Sequence, residues 1–341
     1  MRTSFFIALF LFLSSCTSNS DVKNDSTTQD SAKEPKFQIL FEDSIGYGCR
    51  GMEVFEDEVY FSGIKGTCFK LNQNYEVEHL IAMENDSLDF RDLTVINKDH
   101  FFIINSGLNK AYVLEYKQGK TDTSYHAEYD GAFLDDLIQD ANGFIYCLGD
   151  PDALYNQLFL IRSHDQGRTW QRIFSEVTLP KGEFFFAASG TCMAFMGKTL
   201  YLAVGGSDSY LMEINLKRHD VTRQASKISF GESAGMNSLI CVDESLYAVG
   251  GDYTHPDDSS VTFQKFGEDG FAGATGGYQS SITKNKELLV CTGRNGSWYS
   301  VNEGKDWTQF TKEGFYKVIL TSDNKLFCSG KDGRIIVYGI E

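Results

Sequence analysis

Arg50 in CRGMEV and Arg91 in FRDLTV are the residues whose type and setting point most directly to chemistry. They stand at matching places in consecutive repeats, each immediately before a β-rich run, in a chain that is otherwise strongly acidic. A guanidinium presents a planar fork of donors that fits a carboxylate, so placed arginines on such a chain point to an anionic group on a partner. Loops of the same class carry Asp135, Asp136, Glu183, Tyr278 and Tyr316, and these complete the candidate partner-binding set. The plainer reading of the arginines is ion pairing with Asp92, Asp135 or Glu183, which would knit neighbouring units together.

Other chemistry-bearing patterns lack the context their chemistry needs. Gly46-Tyr47-Gly48-Cys49-Arg50-Gly51 spells G-x-G-x-x-G, but a β-rich run follows where a dinucleotide site needs a helix. No cofactor is expected. The six histidines are scattered without ligand spacing, so no zinc site is expected. Asp252, Asp257 and Asp258 crowd the loop GGDYTHPDD, which reads as a solvated acidic turn rather than a full calcium shell. Besides Cys16 there are seven cysteines, an odd number that argues against a complete disulfide framework. Cys147, Cys291 and Cys328 share one repeat position, two residues before a glycine, and read as small core hydrophobes.

The elements that must position the arginines are repeats. A β-rich run ending in glycine recurs as EVYFSG, FFIINSG, FIYCLG, LYLAVG, SLYAVG, LLVCTG and KLFCSG, with glycines at 63, 107, 149, 205, 250, 293 and 330. The gaps are 44, 42, 56, 45, 43 and 37 residues, each holding about four short strands. A four-stranded blade has two apolar faces and buries neither alone, whereas blades packed face to face in a ring bury both. The expected fold is therefore all-β: a seven-bladed β-propeller of four-stranded antiparallel blades over residues 35–341. A six-bladed ring with an extra hairpin is the alternative. The last unit offers only three strands, and KFQILFE at 36–42 precedes the first full repeat, so this N-terminal strand should complete the last blade from outside. Loops from second to third strands should emerge with the loops between blades, on the face that carries Arg50 and Arg91.

Ahead of the repeats lies a targeting segment. Arg2 is followed by an apolar run from Phe5 to Leu13, too short to span a bilayer, and then Leu13-Ser14-Ser15-Cys16. This stretch resembles a bacterial lipobox, which implies a signal peptide over 1–15 and lipidation of Cys16. Residues 16–34 then form a polar tether without apolar periodicity. The expected location is the cell envelope, as a membrane-anchored lipoprotein facing the periplasm or cell surface, most simply at the outer membrane. The net charge of −16, from 31 basic and 47 acidic residues, repels polyanions and excludes nucleic acid as a partner.

Ser163-His164-Asp165-Gln166-Gly167-Arg168-Thr169-Trp170 matches S-x-D-x-G-x-T-W, and a weaker copy runs from Ser300 to Trp307 with Asn302 and Asp306 in place of Asp and Thr. The motif resembles the Asp-box of sialidase-like propellers. Its residues Ser163, Asp165, Gly167, Thr169 and Trp170 read as a hairpin device, with the carboxylate accepting backbone N–H groups. Beyond the box, FRDLTV, GEFFFAAS, GGDYTHPDD and EGFYKV resemble bacterial lipoprotein relatives of the photosystem II assembly/stability factor. That resemblance covers roughly residues 40–341. It implies a seven-bladed propeller whose arginine-bearing patch, here Arg50 and Arg91, meets a client protein. Some such relatives carry an oxidoreductase label, for which this sequence shows no cofactor residues.

The expected function is a non-catalytic, protein- or peptide-binding scaffold or assembly factor of the envelope, acting as a monomer on an unidentified envelope protein. A glycan-binding or sialidase-like propeller is the alternative, because Arg50, Arg91, Arg294, Glu183, Tyr278 and Tyr316 supply the residue types such a hydrolase uses. A protein binder should show a broad, partly apolar face. A hydrolase should show a deep pocket with an unpaired glutamate near a tyrosine.

Overall fold

The computed structural model describes residues 34–341 apart from 108, 109, 130, 153 and 259. Cys16 and the signal segment lie outside the described residues. Pro35–Glu341 forms one unit. Alternating apolar residues and turn-forming dipeptides give consecutive antiparallel meanders, as the repeats predict. The innermost strands are Cys49–Phe55, Phe90–Asn97, Leu134–Gln139, Met193–Met196, Ala234–Val242, Ser281–Asn285 and Lys317–Leu320, and they define blades 1 to 7. Each inner strand neighbours the next, and the first meets the last, so the ring closes.

Phe37–Ser44 pairs antiparallel with Arg334–Ile340 and forms the outer strand of blade 7, as expected from the missing fourth strand. Mutual bonds of 3.1 Å between Lys36 and Glu341 extend the pairing. Phe37 also stacks on Phe310 of blade 6 at 3.9 Å and meets Tyr338 edge-on. The latch is thus held by packing as well as by its ladder.

The core lies between the blades. One cluster packs Phe61 and Phe69 of blade 1 against Ile335 and Val337 of blade 7. The next sets Tyr60 against Phe101 of blade 2, and the pattern continues around the ring. Each fully buried phenylalanine contributes about 1.5–3 kcal/mol of apolar burial. Cys147, Cys291 and Cys328 sit in these clusters, fully buried, with burial raising their thiol pKa values. All seven described cysteines are free thiols.

One feature departs from seven separate sheets. Blades 4 and 5 merge into one nine-stranded sheet through a bridge between Gly205 and Gly235. A Cβ on Gly205 would lie 2.9 Å from the Gly235 Cα, so only paired glycines allow the two backbones to meet.

The Asp-box sits between the third and fourth strands of blade 3. The Asp165 carboxylate accepts from Thr169 N at 2.9 Å, Thr169 Oγ1 at 2.7 Å and Ser163 Oγ at 2.9 Å. These bonds, chiefly those from Thr169, hold Asp165 down at about 2. Gly167 takes φ +78°, and Trp170 Nε1 donates to Ser124 of blade 2 at 2.8 Å. In the second copy Asn302 Oδ1 accepts from Asp306 N at 3.0 Å, while its Nδ2 donates to Asp306 Oδ2 at 2.8 Å. The two departures from the motif therefore compensate each other.

Candidate functional site

Arg50 and Arg91 are placed by β-bulges. In blade 1 the register slips between Cys49 and Gly51, and in blade 2 between Phe90 and Asp92, so each arginine is the extra residue of its inner strand. They lie within these strands, at the second position, and not ahead of them. The same slip frees Asp135 in blade 3 and Asn237 in blade 5. A bulge re-aims the side chain it frees, and here four blades aim theirs at one end of the central channel.

One residue further along, the side chains staple neighbouring blades. Asp92 Oδ2 accepts from Leu137 N at 3.1 Å, Asp136 Oδ2 from Met193 N at 2.6 Å, Ser238 Oγ from Ile282 N at 3.2 Å and Ser281 Oγ from Val318 N at 3.2 Å. In blade 7 this place is taken by Lys317, whose Nζ lies 3.3 Å from Asp92 Oδ1 of blade 2. Burial drives the pKa values of Asp92 and Asp136 upward, against the pull of the Lys317 charge.

Residues 187–190, on the way from blade 3 to blade 4, cross the channel as a strap. Arg50 Nη1 donates to Ala188 O at 3.3 Å, and Arg91 Nη1 reaches Ala187 O at 3.5 Å. Ser189 Oγ donates to Ser280 O of blade 6 at 2.8 Å, and Lys317 Nζ to Gly190 O at 3.3 Å. The strap thus touches blades 1, 2, 6 and 7. Gly190 takes φ +58° and lies so near Asp92 that a Cβ would come within 2.2 Å of that carboxyl group.

The strap separates two spaces. On one side the inner strands line a channel of about 520 Å³ containing Glu53, Thr94, Thr283 and Lys317. On the other lies a pocket of about 310 Å³, floored by Ala187 and Ala188 and lined by Arg50, Arg91, Arg294, Asn237, Asp150 and Tyr278, with Phe133, Phe184, Phe186 and Tyr253 as an aromatic wall. Arg50 stacks on Tyr316 at 4.1 Å, and burial, then the charge of Arg91, lowers its pKa. Arg91 pairs with Asp89 at 2.7 Å and lies over Phe133. Arg294 lies over Tyr253, exposed and without an ion pair among the described residues. Burial raises the Tyr278 phenol to about 12 and the Asp150 carboxyl to about 6, the latter opposed by a bond from Phe185 N at 3.0 Å.

Of the sequence-derived candidates, Arg50, Arg91 and Tyr278 share this pocket, and Tyr316 braces Arg50 from beside it. The carboxylates do not line it. Asp135 is fully buried next to Asp150, with the Ala187 amide near it but no hydrogen bond of full geometry to either oxygen, and burial holds its pKa well above the ordinary range. Asp136 is a staple. Glu183 pairs along Gly206 at the sheet edge, where it accepts from Tyr210 at 2.6 Å. The expected pairing of the arginines with Asp92, Asp135 or Glu183 is replaced by strap carbonyls and Asp89. In GGDYTHPDD, Asp252 is satisfied by Ser233, Thr254 and His255, and Asp257 by Asn295. Among the described residues no three His, Cys, Asp or Glu side chains converge as metal ligands.

Sequence reasoning missed Asn237, Asp150 and the phenylalanine wall as pocket residues. Aligning MNSL at 236–239 with CRGM and FRDL would have found Asn237. The 56-residue gap before Gly205, against roughly 44 elsewhere, was the trace of the strap.

Compared by sequence, the chain matches no family model and no curated relative. Compared by structure, it is similar to virginiamycin B lyase from Staphylococcus aureus, with TM-score 0.67 and 12% identity over 90% of this chain and 99% of that one. It is similar to YCF48 bound to D1 peptide, with TM-score 0.64 and 11% identity over 88% and 95% of the two chains. It is also similar to the GH74 enzyme of Niastella koreensis, with TM-score 0.61 and 14% identity over 87% of this chain and 53% of that chain. At such identities these likenesses establish architecture alone, and on that ground the chain is a β-propeller, structurally akin to YCF48 and to virginiamycin B lyase.

Proposed function

We propose that this propeller is a non-catalytic scaffold or assembly factor of the cell envelope, lipid-anchored at Cys16, that binds a protein or peptide partner on its arginine-bearing face. The observation that carries this reading is the pocket in which Arg50, Arg91 and Arg294 converge within aromatic walls. Three guanidinium groups in a strongly acidic protein fit an anionic group, and their aromatic neighbours fit an apolar one beside it.

The rim supports the same reading. Among the described residues, eight large hydrophobics are exposed, and Ile64, Met83, Leu154, Tyr155 and Phe230 fall in loops of this one face. Apolar groups scattered round a charged pocket suit a macromolecular partner. Glu183, the glutamate a hydrolase would use, is engaged by Tyr210 outside the pocket. YCF48, similar in fold, is a protein whose structure holds a D1 peptide.

The test is a crosslinking capture from the native envelope with wild type and Arg294→Ala. Arg294 makes no bond to the strap, so its loss leaves the scaffold intact. A partner captured by wild type and at least about fivefold less by the variant supports the reading, since one charge-assisted contact is of that order. Equal capture would remove the pocket from the interface.

A further inference from the structure

The pocket offers more than positive charge. Asn237, 1% exposed, donates Nδ2 to Gly235 O at 3.0 Å, which fixes the amide orientation. Its Oδ1 is buried and accepts no hydrogen bond. An acceptor left dry costs free energy, and Asn237 belongs to the pocket wall, so a small turn of its amide offers that acceptor to a donor that the ligand brings.

Charge narrows the class further. Arg50, Arg91 and Arg294 share the pocket lining with Asp150, and Arg91 is already paired with Asp89. Three cations against two carboxylates leave one positive charge, which suits a monoanionic carboxylate better than a phosphate dianion. The strap closes the floor through its bonds to Arg50, Ser280 and Lys317, so the pocket is blind. A blind pocket of about 310 Å³ admits a chain end or a small molecule, not a segment that must enter and leave.

Resting on the binding reading above, we propose that the pocket recognises an N-acyl α-amino carboxylate, its carboxylate held by the arginines, its N–H donated to Asn237 Oδ1 and an apolar side chain set against Phe186 and Tyr253. The carboxylate and the N–H sit one carbon apart in this group, which matches arginines and an acceptor that converge on one small space. The free carboxyl end of a polypeptide and a small acylated amino acid both carry it.

Calorimetry with N-acetyl-phenylalanine, its C-terminal amide and 3-phenylpropanoate tests the assignment on the whole protein. The acid should bind more than about tenfold tighter than the amide, which lacks the charge. Asn237→Ala should weaken N-acetyl-phenylalanine about three- to tenfold and leave 3-phenylpropanoate, which has no N–H, unchanged. Amide binding equal to acid, an Asn237→Ala effect equal on both carboxylates, or no binding of any probe would overturn the proposal. Arg294→Ala, on an exposed side chain, should weaken both carboxylates alike even if Asn237→Ala fails to fold. A hexapeptide ending in free phenylalanine distinguishes the sources: tighter binding than the small probe assigns a polypeptide end, and equal binding a small metabolite. If the probes fail while envelope capture still depends on Arg294, this inference falls and the binding reading stands.

Discussion

At the scale of the residue, the pocket contains its own response to pH. Asp150, raised to about 6 by burial, shares the space with Arg50, Arg91, Arg294, Tyr253 and Tyr278, and with Asp135 beside it. As pH falls through 6, Asp150 takes up a proton and the pocket gains one positive charge, while an α-carboxylate remains ionised. Affinity for a carboxylate should therefore rise severalfold between pH 7.5 and 5.5, and Asp150→Asn should abolish the dependence in a calorimetric series. The hairpin motif makes a second residue-scale prediction. Ser163 is fully buried and bonded to Gly167 N at 2.8 Å, so Ser163→Ala should cost about 1–2 kcal/mol in urea unfolding. Asn302→Asp should also destabilise, because it sets a second carboxylate against Asp306. Adding Asp306→Thr should restore the loss, recreating the pattern of Asp165 and Thr169.

At the scale of the element, the paired glycines and the strap decide the geometry. Gly205→Ala drives a Cβ into Phe186, 2.5 Å away, and towards the Gly235 Cα, and should cost about 3 kcal/mol by overpacking, measured as a shift of the urea midpoint. Because Phe186 is pocket wall, the same variant should weaken carboxylate binding more than Ser163→Ala does. Here the limits of sequence reading are plain. The glycine-ended runs spelled out the second strands, and the unpaired KFQILFE revealed the latch, because hydrophobic period and turn chemistry are local properties. The bulges that free Arg50, Arg91 and Asn237 depend on how one strand registers against another, which no single segment encodes. The strap was less legible still, since GEFFFAAS has no period and its bonds reach residues more than a hundred positions away in both directions. Asp136 and Glu183 drew attention as charges; what they do, stapling a blade and holding Tyr210, follows from burial that composition does not reveal.

At the scale of the whole molecule, the buried acids set the dependence of stability on pH. Burial raises Glu53 to about 7 and Asp150 to about 6, and raises Asp92, Asp135 and Asp136 as well. In the unfolded chain these groups titrate near 4. The folded state therefore binds more protons between pH 4 and 7, and their contribution is greatest at low pH and is lost as pH rises through the folded values. Asp165, held at about 2, acts in the opposite sense below pH 4. The melting temperature should be higher at pH 5 than at pH 8, and Glu53→Gln should flatten the slope between pH 6 and 8.

The strap also has a consequence in time. Its residues follow blade 3, yet its partners include Arg50, 138 positions earlier for Ala188, and Lys317, 127 positions later for Gly190. A chain emerging from the ribosome can stack its early blades one after another, but Gly190 must wait for the last blade before Lys317 meets its carbonyl. Maturation therefore has a late step, at which the ring shuts and the far end of the strap is pinned together. A chain that stops short of Lys317 loses both at once.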